Sequence, residues 1–259
     1  MTLKEWQQKN LPQLRKTRFE PAKHAGVTLV CYLFPPTERE REYLEGIECA
    51  LLQSWKVLGQ LPAVLVASHR FPELDELVAA RPQIGLQVEP ALTPGSIRSM
   101  SLDCITKLAD RFSTEYCLVI QNDGFPLRDT LADFLGKWDY IGAPANVGWR
   151  RRFLFKPFGV QTFNGGFSLR SRKICRAAAA AWRLWGRWLI GPRGRLFAED
   201  VFYTTTAKFF CPRYRFAHRF PDTAEARRFA YDDLSRHMDL PPSETPFGFH
   251  GTTTAEHYL

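Results

Sequence analysis

Four short runs of apolar, β-branched and aromatic residues constrain this chain more than anything else in it. They are GVTLVCYLF at 26–34, PAVLVAS at 62–68, GLQVEPAL at 85–92 and EYCLVIQ at 115–121. Continuous apolar runs of strand length have to be covered on both faces, which antiparallel hairpins exposed to water do not provide. Helical patterns separate them. REYLEGIECALLQSWKVLG places Leu44, Ile47, Leu51 and Trp55 on one stripe. FPELDELVAARP reads as a short helix stopped by Pro82, and SIRSMSLDCITKLADRF as a third helix with Ser96 as its N-cap. Strand–helix alternation over about the first 120 residues predicts an α/β fold with a parallel, doubly wound sheet. Right-handed crossovers then make the carboxyl ends of the strands the binding edge.

The second half is richer in Gly, Pro, Arg and Trp, with shorter strands and longer connections, and reads as a small mixed sheet completing the same domain. We therefore expect one domain over 25–259, preceded by a polar N-terminal arm over 1–24 that is helical from Leu3 to Arg15. The chain's 259 residues, 45% of them hydrophobic, fit a single large sheet with helices on both faces.

A net charge of +8 favours an anionic partner, or else a solvated basic surface. There is no helix-turn-helix, zinc-knuckle or RNA-recognition signature, so no specific nucleic acid is expected. Six cysteines lie scattered with no C-x-x-C pair, which points to a reducing compartment. The N-terminus has no apolar signal region and no run is long enough to span a bilayer, so a cytoplasmic protein is expected.

Four features can carry chemistry, and each has a plain structural reading beside it. Asp123 ends the strongest strand in QNDG, where a carboxylate can bind a hard divalent cation together with a diphosphate, or simply close a turn. Asn164-Gly165-Gly166 precedes the alternating Phe-Ser-Leu-Arg strand, where bare backbone admits a close neighbour or makes a bulge. Glu199 and Asp200 open an apolar helical run, as a general base or as helix-capping acids. His250 in PFGFHGT is a metal ligand or a packed histidine.

Taken in order, an acid after the fourth strand, a glycine pair, an x-E-D helix start and a C-terminal histidine resemble the shared signature of GT-A-fold glycosyltransferases. NGGFSLR, EDVF, WDYIGAP and PFGFH resemble more closely a family of largely uncharacterised glycosyltransferase-like domains, over approximately residues 27–251. The resemblance implies a GT-A-like, Rossmann-like sheet flanked by helices. It also implies an inverting transfer of sugar from a nucleotide-sugar donor, taken as UDP-linked, to a glycan or lipid-linked acceptor. Asp123 and His250 would hold Mn²⁺ or Mg²⁺, Asn122, Asn164, Gly165 and Gly166 would lie against the donor, and Asp200 would be the base. Glu199 would be turned toward donor or acceptor. Nucleotide contacts are expected near Thr37 and at Ser68, His69 and Arg70, with Ser68 and Arg70 as donor-binding residues. One departure matters: Gln121 stands where the metal motif of the family has its first acid. A non-catalytic nucleotide- or glycan-binding domain is therefore a second reading. A sugar-phosphate nucleotidyltransferase is disfavoured, because FPPTERERE replaces the glycine-rich basic loop expected after its first strand.

RKICRAAAAAWRLWGRWLIGPRGR, with Lys173, Arg176, Arg183 and Arg187 on one helical stripe and Ile174, Ala178, Ala181, Trp185 and Trp188 on another, has two readings. It is a packed helix with a solvated basic face, or a segment over 172–195 lying on an anionic membrane, which would make the protein peripheral there. GWRRRFLFKP, with Arg150, Arg151, Arg152 and Lys156, could extend that patch or clamp a phosphate.

Overall fold

The computed structural model describes residues 1–35, 37–145, 163–189, 198–233 and 244–259. The four apolar runs become β1 (Val27–Leu33), β2 (Ala63–Ala67), β3 (Ile84–Val88) and β4 (Tyr116–Ile120), all parallel. The helical stripes become α2 (Glu40–Leu58), α3 (Pro72–Ala80) and α4 (Ile97–Thr106), followed by a short α5 (Leu108–Arg111). Ser96 caps α4 as expected, its hydroxyl accepting from the Ser99 amide at 3.2 Å.

Two later strands complete this sheet, β6 (Tyr140–Pro144) and β7 (Phe163–Ser171), giving the order β3-β2-β1-β4-β7-β6 with β7 antiparallel to both neighbours. A second sheet of order β5-β9-β8 joins β5 (Gly124–Pro126), β8 (Ala230–Asp232) and β9 (Gly248–His250). This is the mostly parallel sheet with a small mixed one that the sequence predicts.

Alternation along the strands divides the core in two. Leu29, Cys31, Leu118, Ile120, Phe167 and Leu169 pack with α2 and α3 on one face. Val30, Tyr32, Cys117 and Val119 pack on the other with α4 and with α6 (Arg172–Leu189). Five of the six cysteines are buried and all are free.

The N-terminal residues are not an outlying arm. The expected helix forms as α1 (Leu3–Lys16), with a capping box between Thr2 and Glu5, but it docks on α2. Leu3, Leu11 and Leu14 are buried, and Arg15 makes a two-pronged pair with Glu48 at 2.6 and 2.9 Å. Three buried leucines on one side of a polar helix are enough to hold it against the domain.

In α6 the basic stripe separates as drawn, and the apolar stripe does so as far as Ala181 but not at Trp185. Ile174, Ala178 and Ala181 are core residues, whereas Lys173, Arg176 and Arg183 face solvent. Leu184 and Trp185 are exposed, at 71% and 42%. Arg187, Trp188, the stretch 190–195 and GWRRRFLFKP lie outside the described side chains. Among the described residues no helix is long and apolar enough to cross a membrane.

Candidate active site

The site forms where β4 ends and β7 begins, at the carboxyl edge of the parallel strands. Gly142 pairs with Ser168 and Pro144 with Phe163, so Ala143 alone on β6 faces Asn164, Gly165, Gly166 and Phe167 on β7. The glycine pair is thus a large bulge inside the strand, not a turn ahead of it. Neither glycine has a positive φ. Their purpose is close approach. A Cβ on Gly165 would overlap Glu199 Oε1 and lie 2.8 Å from Arg170 Nη2, and one on Gly166 would overlap His250 Nε2 and lie 2.8 Å from Gln121 Oε1. The bare backbone therefore leaves room for the protein's own side chains, where the sequence reading had put a sugar. Asn164 is buried as well, and its Oδ1 accepts from the Gly166 amide at 2.7 Å, which fastens the bulge.

Two clusters meet across this bulge. On the Gly166 flank, His250 Nε2 lies 3.1 Å from Gln121 Oε1 and 3.4 Å from Asp123 Oδ1, and its Nδ1 lies 2.9 Å from Asp232 Oδ1. Burial draws the imidazole toward neutrality, but the Asp123 charge and the hydrogen bond to Asp232 outweigh it and carry His250 up to about 9. Asp123 Oδ1 is fully enclosed with no hydrogen-bond partner among the described residues. The pairing of β9 with β5 and β8 sets Gly124, His250 and Asp232 side by side, so the small sheet builds this flank.

On the Gly165 flank, α7 (Glu199–Val201) continues into a π-helical turn, Phe202–Thr206, and α8 (Ala207–Phe210). Glu199 does not face outward. It is 6% exposed and accepts from Arg170 Nη2 at 3.2 Å and Ser101 Oγ at 3.4 Å. Arg170 is fully buried, donating also to the Gly165 carbonyl and Ser168 Oγ, with its guanidinium 4.8 Å and 5.0 Å from the ring centres of Tyr203 and Tyr140. Removing either charge of such a pair strands the other, at roughly 3–5 kcal/mol. Asp200 is only partly buried; desolvation first and the neighbouring Glu199 second push it up to about 7. A carboxylate titrating there is suited to taking a proton near neutral pH.

The structure thus brings together Asp123, His250, Asn164, Gly165, Gly166, Glu199 and Asp200. It does not bring the others to this cluster. Asn122 turns to the helices, its carbonyl accepting from Gln7 Nε2 at 2.6 Å and its Cβ lying 2.9 Å from where a Cβ on Gly46 would be. Ser68 and Arg70 follow β2, two strands from β4, and are engaged by His69 and Asp75. The side chain of Thr37 lies outside the described residues. Sequence reading missed Arg170 and Asp232. A signal existed for each: an arginine in an otherwise buried alternating strand, and an acid closing the short run FAYD much as Asp123 follows YCLVIQN.

The architecture is that of GT-A glycosyltransferases. Galactosyltransferase LgtC, solved with donor and acceptor sugar analogs, superposes with a TM-score of 0.58 at 15% identity over 89% of this chain and 93% of its own. Core-mannan synthase A (CmsA/Ktr4) from Aspergillus fumigatus, in its Mn/GDP form, gives 0.53 at 9% identity, over 74% of this chain and 75% of its own. No curated protein matches the sequence. Within that fold the chain belongs to the family described as "Protein of unknown function (DUF5672)", whose model matches residues 99–250.

Proposed function

We propose that this protein is a metal-assisted, inverting glycosyltransferase, moving a sugar from a nucleotide donor, taken as UDP-linked, to a glycan or lipid-linked acceptor. One observation carries the reading. Asp123 with His250 and Asp200 with Glu199 meet on the two flanks of one bulge, at the binding edge of a sheet with this fold.

The residues fit a divalent cation, Mn²⁺ or Mg²⁺, provided the donor diphosphate supplies most of its ligands. Asp123 Oδ1 is enclosed without a hydrogen bond among the described residues and is a suitable ligand atom, and His250 Nε2, 3.4 Å away, could join it on giving up its proton. No group of three acidic, His or Cys side chains that could hold a metal occurs among the described residues. When bound, the ion would supply positive charge to the departing diphosphate. Asp232 holds the His250 ring with Nε2 toward Asp123, the residue that would hold the ion. Asp200 takes the proton from the acceptor hydroxyl as it attacks the anomeric carbon from the face opposite the diphosphate. Glu199, locked by Arg170, keeps the first turn of the helix, and so Asp200, against Gly165. Exposed Leu184 and Trp185 beside Arg183 are what favour a membrane surface as the place where a lipid-linked acceptor is met.

Gln121 in the first-acid position favours a second reading, a domain that binds nucleotide or glycan without turnover. Asp200→Asn separates the two. With a panel of UDP- and GDP-sugars and Mn²⁺, nucleotide release by the wild type should fall about 10²- to 10⁴-fold in the variant while donor binding persists. Absence of release by the wild type with every donor, alongside intact nucleotide binding, would favour the binding domain. NMR of the product's anomeric configuration tests inversion: a retained configuration contradicts it.

A further inference from the structure

Lys208 is a buried charge that the mechanism leaves unused. It sits in α8, is 8% exposed, and among the described residues has no acidic partner and no hydrogen bond. Its ammonium lies 3.4 Å from the ring centre of Phe220 and 6.0 Å from that of Phe163. The nearest charged influence on it is repulsive, from Arg215; desolvation first and that repulsion second bring Lys208 down to about 7. Ring faces partly offset the loss of hydration but supply no counter-ion. A lysine kept at such a position at a cost is placed to meet a charge that arrives from outside.

Its place relative to Asp200 says whose charge that is. The helical run from Glu199 to Phe210 lies along the start of β7. Asp200 Cβ is 3.1 Å from where a Cβ on Gly165 would be, and Lys208 faces Phe163, two residues earlier on the strand. The two stand eight positions apart along this run, which includes the π-helical turn Phe202–Thr206. The metal-side groups, Asp123 and His250, lie on the opposite flank of the bulge, at Gly166. The ammonium is therefore on the side of the base, where the attacking hydroxyl enters, and away from the residues assigned to the donor diphosphate.

We propose that Lys208 binds an anionic group on the acceptor, the carboxylate of an acidic sugar or a phosphate, on the same flank of the bulge as the hydroxyl that Asp200 deprotonates. This rests on the transferase reading above and narrows it: the acceptor is acidic, with the partly exposed ring of Phe220 beside its charge.

The test uses the whole chain and its Lys208→Met variant, which keeps the side-chain stem between the rings. Calorimetry with Mn²⁺ and UDP or GDP present measures binding of glucuronate and mannose 6-phosphate against the neutral sugars glucose and mannose. The wild type should bind at least one acidic sugar more tightly than its neutral counterpart. The variant should lose about 10- to 100-fold for the acidic sugar only. Its melting temperature should be equal or higher, because a buried unpaired charge is gone. Preference for neutral sugars, indifference to charge, or equal binding by the variant would overturn the proposal. So would a variant that instead loses nucleotide affinity, since the charge would then belong to the donor. Failure of the transferase reading looks different: acidic sugars bind through Lys208, yet no nucleotide binds at all.

Discussion

Gly165 carries no Cβ because one would overlap Glu199 Oε1, and Gly166 carries none because one would overlap His250 Nε2. Both glycines can thus be tested by the smallest substitution available. Gly166→Ala should fold, at a cost of about 1–3 kcal/mol for overpacking, and should weaken Mn²⁺-dependent nucleotide binding by displacing His250. Binding unchanged in that variant would separate His250 from the donor. Asp200 gives a pH prediction. Its folded pKa of about 7 lies above the ordinary 3.8, so its contribution to stability is full below 3.8 and is lost as pH rises through 7. Activity runs the other way, rising with pH as the base ionises. Asp200→Asn should therefore be more stable than the wild type at pH 8 by several degrees, with the gap closing toward pH 4. A gap independent of pH would mean that Asp200 is not held in the way described.

Among the elements, α1 departs furthest from expectation. Its span is legible from Leu3 to Arg15 because local propensity and the Thr2–Glu5 capping box are local information. Its docking is not legible, because three leucines spread through a polar stretch give a stripe too sparse to distinguish a docked helix from a free one. The consequence is measurable: Leu11→Ala should cost about 2–4 kcal/mol in denaturant unfolding, whereas a detached arm would tolerate it with no change. The same boundary between local and distant information runs through the site. The end of β4 and the start of α7 could be placed from the sequence, since polar residues at strand tips and acids at helix starts are local patterns. That Asp232 lies beside His250, and that Glu199 turns inward to Arg170, depends on pairings 18 and 29 residues apart in sequence. No periodicity encodes those.

For the whole molecule, the parallel half of the sheet was readable because both of its faces are buried, which demands continuous apolar runs. The antiparallel insertion of β7 between β4 and β6 was not, since an alternating strand fits several neighbours equally well. Yet that insertion makes the site: it carries Gly165 and Gly166 to the tip of β4, where the carboxylates and His250 reach them from two other elements. The central claim is that this edge binds a nucleotide diphosphate through a cation held at Asp123. Calorimetric titration of UDP and GDP, with and without Mn²⁺, on the wild type and on Asp123→Ala tests it most directly. The account predicts Mn²⁺-dependent binding of one nucleotide by the wild type and its loss in the variant. Binding indifferent to both Mn²⁺ and the substitution, or no binding of either nucleotide, would contradict it.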